Sequence, residues 1–75
     1  MIGYTLKIHR LNEEANEDLL GVQLGRFCIA NDIPVSDVME YFKVSKQTVY
    51  NWYAGINDPK GDNRDAIRKY LNKLS

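Results

Sequence analysis

From Pro34 to Gly55 the chain reads PVSDVMEYFKVSKQTVYNWYAG, and this stretch leaves few ways to fold. Val38, Tyr41 and Phe42 recur at i, i+3 and i+4, which predicts a helix over residues 35–42, begun by Pro34 or Ser36 and carrying Asp37 in its first turn. Lys43 and Val44 form a tight turn, and Ser45 is a good N-cap for a second helix over 46–54. Val49, Trp52 and Tyr53 give that helix its apolar side, and Gly55 ends it. Two short helices joined by about three residues make a helix-turn-helix. To pack against a third helix, such a pair must bury Val38, Phe42, Val44, Val49 and Trp52, and all five are apolar.

The third helix comes before the motif. Leu20, Leu24, Phe27 and Cys28 fall on one helical face, and the run NDIP stops it, since Pro34 disfavours helix at Ile33. Asn12 and Asn16 are candidate caps, with Glu13, Glu14, Glu17 and Asp18 suited to the positive end of a helix dipole. After the motif, GINDPKGD is a loop by composition. Asp62 or Asn63 then caps a last helix in which Ile67, Tyr70, Leu71 and Leu74 keep the 3, 4, 7 spacing. At the other end Ile2, Tyr4, Leu6 and Ile8 alternate with Gly3, Thr5 and Lys7, which reads as a short strand or, equally, as an extended arm lying on the helices. A lone strand needs a partner, and the same strand of a second copy is one candidate. The expected fold is therefore all-α: one domain over residues 1–75, a compact bundle of four to five helices, with residues 1–12 as strand or arm and 35–54 as the motif.

At 75 residues there is room for one small core and none for a catalytic cleft between lobes. Cys28, the only cysteine, lies in the apolar run FCIA and reads as a buried hydrophobe. His9 is the only histidine. One Cys and one distant His make no metal site, and no acid pair, phosphate loop or nucleophile with its base is present, so neither an enzyme nor a cofactor is expected. The chain shows no secretory signal pattern and no apolar run of membrane-spanning length, so a cytoplasmic location is expected.

Net charge is zero, but its distribution is uneven. Residues 1–42 hold three basic and seven acidic side chains; residues 43–75 hold seven basic and three acidic. The second half suits an anionic partner. On a helical wheel Lys46, Gln47, Tyr50, Asn51 and Ala54 share an arc of about 140° opposite Val49 and Trp52, with Tyr53 at the border. Glutamine and asparagine can pair bidentately with adenine, and lysine can donate to guanine or phosphate. Lys60, Arg64 and Arg68 are further phosphate candidates from the loop and last helix.

The stretch PVSDVMEYFKVSKQTVYNWYAG resembles the helix-turn-helix of lambda-repressor/Cro-type DNA-binding domains, found in phage and bacterial transcription regulators. The likeness runs from Leu20 to about Leu74 and is strongest over residues 34–55. It implies that Lys46 and Gln47 are the main base readers and that Tyr50, Asn51 and Ala54 are secondary ones. It also implies that Ser45, Thr48 and Tyr53 touch phosphate. Met39 stands where such domains usually have alanine at the helix crossing. Lys43 stands where they usually have a left-handed glycine; a lysine there would cost on the order of 1 kcal/mol but could reach a phosphate. The resemblance further implies a repressor that binds double-stranded DNA as a homodimer, in the bacterial host cytoplasm if phage-encoded, with no small-molecule ligand. The alternative is a protein-interaction module, an adaptor or anti-repressor, whose acidic first half engages a basic surface. The last helix or residues 2–8 would supply the dimer contact.

Overall fold

The computed structural model describes residues 4–74, with Leu74 described by its backbone alone. Five helices succeed one another: α1 (Leu6–Glu14), α2 (Leu20–Ala30), α3 (Val35–Phe42), α4 (Lys46–Tyr53) and α5 (Asp62–Leu74). There is no strand among the described residues, and no helix among them is long and apolar enough to cross a membrane.

The N-terminal segment corrects the expectation of a strand or arm. Residues 1–3 lie outside the described part, Tyr4 and Thr5 precede the first helix, and from Leu6 onward the chain is helical. The Thr5 hydroxyl accepts the Ile8 N–H at 3.2 Å, an N-cap that starts α1. The alternation of residues 2–8 misleads because only part of it is core. Ile8 is buried, whereas Leu6, on the same side of a supposed strand, is 88% exposed. The real face is Ile8, Leu11 and Asn12, spaced i, i+3, i+4, and its third member is polar. Pairing of residues 2–8 with a second copy as strands is thereby excluded for residues 6–8.

Asn12 is likewise not a cap. It is 3% exposed. Its Nδ2 donates to the carbonyl of Val22 at 3.2 Å and to that of Tyr53 at 2.9 Å. The second bond satisfies one of the four carbonyls that the end of α4 leaves without helical partners. The other three are taken by Ala54, Gly55 and Ile56 N–H groups, donating to Tyr50, Trp52 and Asn51. Glu13 and Glu14 close α1 instead of opening a helix. Asn16 does not cap α2 either; its Oδ1 accepts the Asp18 N–H at 2.9 Å in a local turn. Leu19 is the N-cap residue and brings no side-chain bond. A remote carboxylate serves instead: Asp58 Oδ1 accepts the Gly21 N–H at 3.3 Å, and Asp58 Oδ2 holds Arg64 at 2.8 Å.

The core is Ile8, Leu20, Leu24, Cys28, Val38, Phe42, Val49, Trp52, Tyr53 and Ile67, joined by Tyr4. α2 packs chiefly against α4. That closeness depends on Gly21 and Gly25: a Cβ on Gly21 would stand 2.7 Å from Trp52 Cβ, and one on Gly25 would stand 2.7 Å from Tyr53 Cγ. Phe42, Trp52 and Tyr70 pack edge to face between α3, α4 and α5. Val44 and Met39 are partly buried against this core.

Candidate nucleic-acid interface

The turn between α3 and α4 fixes the candidate surface. Lys43 caps α3 in the left-handed region, φ 57° and ψ 49°, as the missing glycine implied. Its N–H, like that of Val44, returns to the Met39 carbonyl. Ser45 then caps α4, its Oγ accepting the Thr48 N–H at 3.2 Å. The Ser45 and Thr48 hydroxyls also bond each other at 3.0 Å. Below this turn Val38, Phe42, Val49 and Trp52 are buried, so the opposite face of α4 must be the outer one.

Lys46 and Gln47 are exposed on the first turn of α4. The Lys46 ammonium sits 5.5 Å from the Tyr50 ring centroid, a cation–π contact that restrains it. Gln47 Nε2 donates to Asn51 Oδ1 at 2.9 Å. That bond leaves Gln47 one N–H and its carbonyl, and leaves Asn51 its NH2, so the pair can still present both donors and acceptors outward. Asn51 is half-buried.

Other expected readers and phosphate contacts sit differently. Tyr53 is fully buried, and its hydroxyl meets that of Tyr4 at 3.1 Å; it is a core residue and cannot touch a phosphate. At the wheel border, contact with α1 and Gly25 drew it inward. Burial raises its phenol far above the ordinary range, and raises that of Tyr4 to about 12. Tyr50 is half-buried, and its hydroxyl is enclosed without a hydrogen-bond partner among the described residues, so its phenol O–H is not offered outward. Ala54 is half-buried as the C-cap of α4. Arg64 is bound to Asp58. Lys43, Lys60 and Arg68 are exposed. Thr48 and Lys60 line one shallow groove between α4 and the loop after it. Cys28 is buried, and burial pushes its thiol up.

One neighbour was not foreseen. The first turns of α1 lie alongside α4, and Thr5, Lys7, Ile8 and Leu11 share an open groove of about 290 Å³ with Gln47, Tyr50, Asn51, Ala54 and Ile56. Nothing in the sequence pattern linked Lys7 to this face, because the link depends on α1 being a helix.

No family model matches the chain, and neither do curated proteins or solved structures.

Proposed function

We propose that this chain binds double-stranded DNA sequence-specifically, as a small phage or bacterial transcription regulator, with α4 in the major groove. The carrying observation is the pair Lys46 and Gln47, exposed together on the first turn of a helix that a short left-handed turn joins to α3. Residues at the N-terminal end of a recognition helix are the ones that reach base edges. Lys46 can donate to guanine, and Gln47, steadied by Asn51, can pair with adenine. Lys43 and Lys60 are exposed at either side for phosphates, and the Ser45 and Thr48 hydroxyls lie near the helix start.

The domain measures 29 × 24 × 23 Å. A domain of this size covers one short half-site, and a second copy with its α4 about one helical turn, ~34 Å, away would read another on the same face of the duplex. The reading is therefore of a homodimer on an inverted repeat, acting by excluding other proteins from the site. Selection from a random duplex library, run beside Gln47→Ala, tests it. Two inverted half-sites are expected, with preference lost at one position in the variant and a cost of about 1–3 kcal/mol at the selected site. The absence of enrichment from folded protein at low salt would sink the reading. It would favour a protein partner instead, for which Leu6 and Ile56, 88% and 69% exposed, are the observation to pursue.

A further inference from the structure

Helix α1 carries its charges the wrong way round for its own stability. Lys7 lies in its first turn and Arg10 at its middle, with Glu13 and Glu14 in its last turn. A helix dipole favours acids at the start and bases at the end. Neither cation has a carboxylate within ion-pair distance among the described residues. Both are exposed, one helical turn apart, and together with Leu6 and Leu11 they line a continuous depression on α1.

The position of these two cations gives the arrangement a use. Lys7 is the charged side chain lining the groove between α1 and α4, on the wall opposite Gln47 and Asn51. The groove floor is apolar, formed by buried Ile8 and half-buried Leu11 and Ala54, with exposed Ile56 at the rim. A cation on the wall, amides opposite and an apolar floor match one strand of a duplex: phosphate on Lys7, with sugar or thymine methyl below. Lys7 and Arg10 also extend the positive surface to the side of α4 away from Lys60, so the two flanks of a groove-inserted helix would both meet backbone.

Resting on the DNA-binding reading, we propose that α1 is a second DNA-contacting element, in which Lys7 holds the backbone of the strand seated in the groove between α1 and α4, and Arg10, in the adjoining depression on α1, meets a neighbouring phosphate. The domain then clamps the duplex from both sides of its reading helix.

The test is the salt dependence of binding to a fluorescein-labelled duplex of mixed sequence, for the unaltered protein, Lys7→Gln, Arg10→Gln and Lys46→Gln. Each of the first two variants should lower the slope of log K against log [salt] by about 0.9. Both should weaken binding several-fold without altering base preference in a parallel library selection. The melting temperature should be unchanged for Arg10→Gln, which is mid-helix, and unchanged or slightly higher for Lys7→Gln, because a cation is removed from the positive end of α1. Unchanged slopes for both variants, with Lys46→Gln weakened as usual, would overturn the role of α1 and leave the DNA-binding reading standing. A changed base preference in Lys7→Gln would overturn the backbone assignment. No binding by the unaltered protein would overturn the reading and this proposal together.

Discussion

Replacing Gly25 with alanine sets two effects of known size against each other. In an isolated helix alanine is the better residue by about 0.8–1.0 kcal/mol, so helix propensity alone predicts a more stable protein. The crossing of α2 and α4 predicts the reverse. A Cβ at position 25 would lie 2.6 Å from Asn12 Nδ2, 2.7 Å from Tyr53 Cγ and 2.9 Å from Tyr53 Cβ. Carbon atoms pack comfortably at about 3.5–4.0 Å, so roughly an ångström must be found. Either α4 moves away, at an overpacking cost of about 1–3 kcal/mol, or Asn12 swings out and gives up its bonds to Val22 and Tyr53, each worth about 1 kcal/mol. After subtracting the propensity gain, the net loss centres on about 1 kcal/mol by either route. In a domain of this size each kcal/mol moves the melting temperature by about 4–8 °C. Thermal unfolding monitored by circular dichroism, with urea titration as a check, reads this directly. A Gly25→Ala protein as stable as the original, or more so, would refute the close α2–α4 crossing.

Two further outcomes are expected. Above pH 10 stability should fall. Burial raises the Tyr4 phenol to about 12 and that of Tyr53 further, so the unfolded chain loses these protons near pH 10 while the folded one keeps them, and stability declines by about 1.4 kcal/mol per pH unit per group, through pH 12 for Tyr4 and beyond it for Tyr53. Tyrosinate absorbance should therefore rise for these two residues only with unfolding, and their smooth ionisation in a folded chain would contradict the buried pair. Lys43→Gly should relieve left-handed strain and stabilise the fold by up to about 1 kcal/mol. It should also weaken DNA binding evenly across sequences with a flatter salt slope, whereas a shifted base preference would remove Lys43 from the phosphate role.

Helices α2 to α5 were legible because their signals are local. Val38, Phe42, Val49 and Trp52 set the spacing, Ser45 and Gly55 mark the ends of α4, and Pro34 breaks the chain before α3. The same locality explains why α1 was not. Its buried face uses Asn12, whose burial is tolerable only because carbonyls of α2 and α4 accept its amide, and no window of sequence contains all three partners. Tyr53 was legible from its spacing as part of the apolar side of α4, where Gly25 leaves room for its ring, and only the resemblance gave it a phosphate role. The division of charge between the two halves of the sequence also set Lys7 apart from the helix it lies beside. Gly21 and Gly25 are an i, i+4 pair on α2, and that spacing was the available hint of a close crossing.

The buried amide of Asn12 has a consequence for how many structures this chain can adopt. A purely apolar contact between helices tolerates sliding, since one greasy surface serves nearly as well as the next. Asn12 makes such slippage costly, because moving α1 by one residue, ~1.5 Å along its axis, would strand the amide and the Tyr53 carbonyl without partners. In a domain with so small a core, this single polar group makes one arrangement of three helices distinct from its near neighbours. It does so at some expense in stability compared with a hydrocarbon of the same size, which is the exchange that favours a unique native state over a merely compact one.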